Sequence, residues 1–449
     1  MTILFKVTIM IKFYNRKAEL AEMHEIYKQC NTHGKMTVLT GRRRVGKTML
    51  ALEFSKKHKH LYLFVSRKSE LLLCDEFMQQ IKPEFDMPVI GKIASFRDVF
   101  EILLQLSATQ RFTLIIDEFQ EFYNINPSVF SDIQNLWDRY KRKSKMNLIF
   151  IGSVYSLMYK IFQDSKEPLF NRADRMFFLK PFPVKEISRI LQDHKKSNDR
   201  LLFDYYIFTG GMPIYIDMLL TQKAFTRNKI TDFILNASSP LLYEGRNVLI
   251  EEFGKEYGTY FSILSLIASG KTARPEIESI LEHNIGGYLD RLENDFAILS
   301  KHRPVGDKPN SKSVKYRIRD NYLNFWFRFI YKNMTAVETE NFSYIKDIIE
   351  RDYDTFSGLM LESMFRELLA ASQKYNEIGS WWDRKGKNEI DIVAVNDMKK
   401  EILFAEVKLN PKRGSLPALE VKATKLLPEY PGYKADYIIL GPDDIDKYL

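Results

Sequence analysis

The sequence predicts an α/β protein: a parallel sheet in the N-terminal part, a mainly helical middle, and a second, smaller α/β module at the end. Three patterns predict it. Five short apolar runs alternate with helix-period segments up to about residue 180, and helical periodicity then dominates to about residue 253. The last hundred or so residues return to alternating strand and helix. At 449 residues the chain exceeds what a single core holds, so two to four domains are expected.

The strands of the first part are expected at 36–40, 61–65, 112–116, 147–151 and 176–179, with helices at 48–57, 70–81, 96–106, 128–142 and 154–162. Apolar runs separated by helices imply crossover connections and a sheet covered on both faces. Beyond residue 181 the helical pattern is interrupted by Thr209-Gly210-Gly211-Met212-Pro213. Residues 254–320 read as helices at 257–268, 275–282 and 285–294, then strands at 297–305 and 314–319 around a polar loop. No internal repeat or low-complexity tract breaks the chain.

Composition narrows the class. Apolar residues at 45% and charged residues at 28% are the balance of a soluble globular protein. Two cysteines, Cys30 and Cys74, in no Cys-x-x-Cys or Cys/His cluster exclude a disulfide framework and a structural zinc site. A reducing cytoplasm is expected. The apolar runs at 3–11, carrying Lys6, and at 321–331, broken by Asn324 and Arg328, fall short of the roughly 20 residues a spanning helix needs. No membrane association and no signal peptide are expected, and Met10 is an alternative start. The net charge of +9 favours polyanionic partners.

The first chemical motif is Gly41, Arg42, Arg43, Arg44, Val45, Gly46, Lys47 and Thr48, with Met49 in the turn that follows. It fits Gly-x4-Gly-Lys-Ser/Thr between a strand and a helix. The glycines let backbone N–H groups curl around a β-phosphate at the positive end of the helix. Lys47 would neutralise β- and γ-phosphates, and Thr48 would offer its hydroxyl to Mg²⁺. The strand at 112–116 ends in Asp117 and Glu118. Two acids at a buried strand tip are costly unless they meet a cation. Asp117 is expected at the Mg²⁺ shell and Glu118 as the group that polarises the attacking water. Ser153 follows the next strand, where it would either reach this site or cap the following helix. Arg172 and Arg175 are candidates to reach the γ-phosphate, in cis or from a neighbouring copy in a homo-oligomer. A guanine-reading Asn-Lys-x-Asp is missing, because Asn228-Lys229-Ile230-Thr231-Asp232 places its acid one residue late, so ATP is the expected nucleotide.

On these residues the chain resembles the archaeal-type ATPase family of the AAA+/STAND group of P-loop NTPases. Phe13-Tyr14-Asn15-Arg16-Lys17-Ala18-Glu19-Leu20 is similar to that family's Arg-x-x-Glu-Leu element. Phe170-Asn171-Arg172-Ala173 is similar to its Gly-Arg element with Asn171 in the glycine's place, and Gly210-Gly211-Met212-Pro213 to its Gly-Gly-x-Pro. The resemblance implies an ATPase core over 11–180, a helical lid over 181–253 and a winged helix-turn-helix over 254–330, with Arg16 near the nucleotide. Seven basic residues on the wing (Lys301, Arg303, Lys308, Lys312, Lys315, Arg317 and Arg319) face two aspartates. Such a wing could track phosphates, with Tyr288 and Arg291 facing a groove.

In the last module, strands at 388–395 and 401–409 carry Asp391 and then Glu406-Val407-Lys408, with Glu362 on a helix at 359–371. Asp391 and Glu406, with Glu362 as a further carboxylate, would hold Mg²⁺, and Lys408 would orient or activate water. This pattern resembles the PD-(D/E)xK nuclease fold over 345–449. Trp381 and Trp382 would either stack on bases or pack in the core. The expected whole is an ATP- and Mg²⁺-dependent ATPase acting on nucleic acid, DNA in preference to RNA. The rival expectation is a regulatory ATPase switch whose winged helix and tail only bind partners. A transporter motor is disfavoured, since no spanning segment and no Leu-Ser-Gly-Gly signature is present.

Overall fold

The computed structural model describes residues 12–87, 93–308, 311, 313–383 and 386–449, so Met10 and Lys312 lie outside the described residues. The chain forms two compact units, one over 13–180 and the other over 181–449 together with Lys12.

The first unit is built on a parallel sheet of β1 (Lys35–Thr40), β2 (His60–Phe64), β3 (Phe112–Asp117), β4 (Met146–Ile151) and β5 (Arg175–Phe178). Their order in the sheet is β2-β3-β4-β1-β5. Every residue of β3 and β4 is buried. Both faces are covered by helices, which is why these strands read as unbroken apolar runs rather than alternating ones. The helices Lys47–Ser55, Glu70–Glu84, Phe96–Thr109, Ser128–Tyr140 and Tyr155–Gln163 fall between the strands. Ser95 starts one of them by accepting the amide of Asp98. The core is aromatic: the Phe119 ring stacks on Phe150 with centroids 4.0 Å apart. The strand order matters chemically. Because β1, β4 and β3 are neighbours, the segments that follow them, starting at Gly41, Gly152 and Glu118, emerge side by side at one edge of the sheet.

The second unit begins with the helices Val184–Asp193, Asp199–Thr209, Pro213–Thr221, Arg227–Ile234 and Glu244–Phe253. Gly210, at φ 55°, closes the second of these, and Pro213 opens the third. Gly211, at φ 72°, lies so close to the Phe182 carbonyl oxygen that a Cβ would stand 2.2 Å from it. The Gly-Gly-x-Pro element is thus a backbone device that folds two helices against residue 182. Helices Tyr257–Ala268, Arg274–Leu281 and Gly286–Asn294 follow, then an antiparallel ribbon of β6 (Leu299–His302) and β7 (Lys315–Ile318). A 30-residue helix, Phe342–Ala371, leads into the last sheet, and it starts seventeen residues before the expected 359. That sheet holds β8 (Glu377–Trp382), β9 (Glu389–Asn396), β10 (Glu401–Val407) and β11 (Lys434–Leu440) in the order β11-β10-β9-β8. Only β10 and β11 run parallel. Leu419, Ala423 and Leu426 pack beside Ile390, Val393, Val395, Ile402 and Phe404 in the core of this sheet.

The ribbon is built into the last sheet instead of standing free. The Val305 amide donates to the Ser380 carbonyl at 3.0 Å. Lys315 reaches both oxygens of Glu389, at 2.8 and 2.9 Å, and lies over the Trp382 ring. The Arg317 guanidinium is 3.6 Å from Glu362, and Arg319 donates to the Leu299 carbonyl. These three members of the expected phosphate-tracking set are engaged within the unit. Tyr288 packs edge-on to Tyr260, and Arg291 bonds Glu256 and the Tyr260 hydroxyl. Trp381 and Trp382 are buried, with the Trp382 indole N–H donating to Ser313, which makes them packing residues and not a stacking lip. Among the described residues, no helix is long and apolar enough to cross a membrane.

Asn171 has φ 55°, the left-handed region where glycine is at ease and asparagine is the best-tolerated substitute. The departure from Gly-Arg therefore keeps the backbone conformation. Asn171→Gly should leave the urea unfolding midpoint nearly unchanged, whereas Asn171→Val should lose about 1–2 kcal/mol, because a β-branched side chain meets the following carbonyl there.

Candidate functional site

The loop after β1 is shaped by its glycines. Gly41, at φ 140°, passes so near Leu179 that a Cβ would stand 2.5 Å from its carbonyl oxygen. Gly46, at φ 93°, caps the helix Lys47–Ser55 in the left-handed conformation, with open space where a Cβ would be. A bare backbone at a helix N-terminus, facing open space, is what a phosphate needs. Val45 is buried beneath the loop, Arg44 is left-handed at φ 69°, Arg43 is exposed, Arg42 is half-buried and Met49 sits in the first helical turn. Lys47 is only 6% exposed, and its ammonium donates to the carbonyls of Gly41 (2.8 Å) and Arg42 (3.0 Å), so the charge lies across the loop.

The acids arrive from β3. Asp117 is 4% exposed and accepts three hydrogen bonds: from the Thr48 hydroxyl at 2.6 Å, the Tyr62 phenol at 2.8 Å and the Glu118 amide at 2.8 Å. Burial pushes its pKa above the usual aspartate range, and the neighbouring Glu118 adds to the shift. Burial also raises the Tyr62 phenol, with Asp117 reinforcing it. An oxygen-only set of hydroxyl and buried carboxylate suits a small hard cation, so Thr48 and Asp117 fit Mg²⁺.

Glu118 stands in the left-handed region at φ 54°, a cost of the kind tolerated at functional turns. One of its oxygens accepts from the Gln120 amide at 2.5 Å and from the Ser153 hydroxyl at 2.7 Å. Of the two roles open to Ser153, contact with the acidic pair is the one the side chain makes, since Val154 is the helix N-cap and uses no side-chain cap. Gly152 permits the crowding: a Cβ there would lie 2.2 Å from the Met158 Sδ and 2.6 Å from the Gln120 side-chain Oε1. Tyr62 and Gln120 were not anticipated. Gln120 could have been suspected from its place two residues after Glu118, but nothing in the spacing marks Tyr62.

Arg16 is buried at φ 63° and braces backbone. It donates to the carbonyls of Val45 (3.3 Å) and Lys180 (2.5 Å) and pairs with Glu19. The cis role considered for Arg172 is withdrawn. Arg172 pairs with Asp138 at 3.0 Å, and two residues later the Asp174 amide donates to Met36 at the start of β1. The phosphate loop leaves the other end of β1, about 15 Å away at ~3.3 Å per residue, out of a guanidinium's reach. Arg175, bonded to Glu22 and in register with Thr37, sits at the same far edge.

In the second unit the register Ala405↔Ile392 sets Asp391 beside Glu406. Lys408 lies 3.6 Å from Asp391 and 3.1 Å from Glu406, and Lys422 lies 3.8 Å from Glu406. Asp391 also accepts the Val407 amide at 2.8 Å. Burial works against the Lys408 charge, but the two carboxylates hold its pKa above the usual lysine range. Glu362 does not join them as a free ligand. It faces Arg366 at 3.4 Å and Arg317 at 3.6 Å. Burial, followed by Arg317, pushes the Arg366 pKa down to about 10, and Arg366 also donates to the Asp391 carbonyl. Two guanidinium groups already occupy the coordination sphere a metal would need. Among the described residues, no three His, Cys, Asp or Glu side chains come together as a metal site.

Residues 13–219 match the family described as an ATPase domain predominantly from Archaea. Over that stretch the chain is similar to archaeal-type ATPase domains. Residues 326–419 match a second family, described as Archaea bacterial proteins of unknown function. Along nearly its whole length the chain is similar to an uncharacterized protein of Methanocaldococcus jannaschii, 28% identical over 445 residues, covering 97% of this chain and 94% of that protein. Among solved structures, the Walker-type ATPase of Pyrococcus abyssi is similar at a TM-score of 0.53 and 18% identity, over 70% of this chain and 96% of that one. At that identity the likeness speaks for the fold.

The raised pKa of Asp117 fixes a sign. Above the ordinary aspartate pKa, the unfolded chain holds this charge in water while the folded chain holds it buried, so the ionised group disfavours folding. Below both pKa values it is neutral in each state and the penalty vanishes. In EDTA, Asp117→Asn should therefore be more stable than wild type, on the order of 1 kcal/mol at neutral pH. The gap between their unfolding midpoints should close as pH falls through the carboxylate range.

Proposed function

We propose that the chain binds ATP with Mg²⁺ on the loop 41–48 and hydrolyses it, and that the second unit uses this cycle to act on nucleic acid. The observation that carries the ATPase reading is the meeting of the Thr48 hydroxyl, Asp117 and Glu118 beside a glycine-shaped helix N-terminus. The loop amides and Lys47 hold the phosphates, while Thr48 and Asp117 are the residues that would hold the ion. Mg²⁺, when bound, supplies neutralisation of charge developing on the phosphate oxygens. Glu118 orients a water and takes up its proton. Gln120 and Ser153 set the direction of its carboxylate.

The finer reading gives the second unit a helical lid over 181–253, a winged helix-turn-helix over 254–330 and a PD-(D/E)xK nuclease-like module over 345–449. Support for the last comes from the convergence of Asp391, Glu406 and Lys408 on adjacent strands. There Asp391 and Glu406 would hold Mg²⁺ and Lys408 would orient a water against a phosphodiester. A second reading, a regulatory ATPase whose tail binds partners without cutting, draws its support from the engagement of Glu362 by Arg317 and Arg366.

Lys47→Ala should abolish nucleotide binding in a fluorescent-ATP titration. Glu118→Gln should bind ATP as wild type does yet turn over at least ~100-fold more slowly in a phosphate-release assay. Incubation of plasmid DNA with Mg²⁺ separates the two readings of the tail. Cleavage that disappears in Asp391→Ala and Lys408→Ala supports the nuclease, and intact plasmid under every nucleotide condition supports the switch.

A further inference from the structure

The module around Asp391 and Glu406 carries a run of basic side chains, of which Lys408, Lys422 and Lys425 are paired to carboxylates and Lys412 and Arg413 are exposed. Between Lys408 and Lys425 the chain holds five Lys or Arg (Lys408, Lys412, Arg413, Lys422 and Lys425) and one acid, Glu420. The path of this segment brings them to one place. It leaves β10 directly after Glu406, turns through Pro411–Arg413 and returns as the helix Leu416–Ala423. Both ends of the turn touch the same carboxylate: Lys408 lies 3.1 Å from Glu406, and the Ser415 amide donates to it at 3.5 Å. Lys422, one helix further on, is 3.8 Å from Glu406.

The turn is pinned against the end of β11. A Cβ on Gly441 would stand 2.2 Å from Pro411, and one on Gly414 would stand 2.7 Å from Ile439. Lys412 and Arg413 form its exposed tip, and their side chains make no ion pair among the described residues. On the ribbon, by contrast, Lys315 and Arg317 are paired to carboxylates and Arg319 to a carbonyl.

We infer that the exposed tip formed by Lys412 and Arg413 is a surface on which this protein holds the phosphate backbone of nucleic acid. The inference rests on the nucleic-acid reading above and gives it a location. Unpaired cations attract a polyanion and release its counterions on contact, whereas cations already paired inside the fold release little. Being anchored at both ends to Glu406, the turn would lay a bound backbone across the mouth of the Asp391–Glu406–Lys408 site, where the phosphodiester must sit for any chemistry there.

The test uses the full-length protein in EDTA, so that binding is read without cleavage, with a fluorescein-labelled DNA duplex followed by anisotropy over a series of salt concentrations. For Lys412→Ala/Arg413→Ala the expectation is weaker binding, by about tenfold. The slope of log K against log salt should fall by about 0.9 for each phosphate contact removed. Lys315→Ala on the ribbon, which removes a cation already paired to Glu389, should match wild type in affinity and slope. The tip variants are exposed substitutions, and an unchanged ATPase rate for Lys412→Ala/Arg413→Ala will show that the protein is folded. Wild-type affinity and slope in Lys412→Ala/Arg413→Ala overturn the inference. A wild-type protein that binds no duplex at low salt overturns the nucleic-acid reading itself and leaves the ATPase site untouched.

Discussion

The first unit is organised around one buried carboxylate. Asp117 sits at the end of a fully buried strand and takes a hydrogen bond from each element it must register: Thr48 of the phosphate loop, Tyr62 of β2, and its own neighbour Glu118. Three donors lessen the cost of desolvating a charge but do not remove it. The remaining cost keeps the site receptive to a cation. Parallel strands β3, β4 and β1 are what make the arrangement possible, since they deliver all the parts to one edge of the sheet.

The second unit solves a comparable problem with different means. Asp391 and Glu406 share Lys408, with Lys422 nearby, and the adjacent Glu362 is balanced by Arg366 and Arg317. Fixed cations take the part that an ion would take in the first unit. The Asp391–Glu406 pair is met by lysine ammonium groups, while Glu362 is held by planar guanidinium groups. The two carboxylate clusters therefore differ in how readily each could accept a metal.

Much of the first unit could be read from sequence because its strands are buried on both faces and lie between helix-period segments. The expected strand 112–116 became Phe112–Asp117, and 147–151 became Met146–Ile151. The meeting of Thr48 with Asp117 was legible because the glycine loop and the acidic strand end follow two strands of one parallel sheet. Tyr62 and Gln120 were not, since a side chain that only orients another can come from many positions. The long helix Phe342–Ala371 was read short because its first half mixes Lys346, Asp347, Glu350, Arg351 and Asp352 into the apolar pattern. The fate of the ribbon was hidden for a different reason. Charge counting sees seven cations, but whether Lys315 meets Glu389 and Arg317 meets Glu362 depends on tertiary contacts across more than forty residues of chain.

Arg16 joins two stretches of backbone that are remote in sequence. One planar group is bonded both to Val45, inside the loop that would wrap a phosphate, and to Lys180, the last residue of the first unit. A guanidinium is rigid, so the two carbonyls cannot move independently without breaking a bond to it. The point where the chain departs the first unit is thereby tethered to the loop by a single inextensible link, and any tightening of one end is felt as tension at the other.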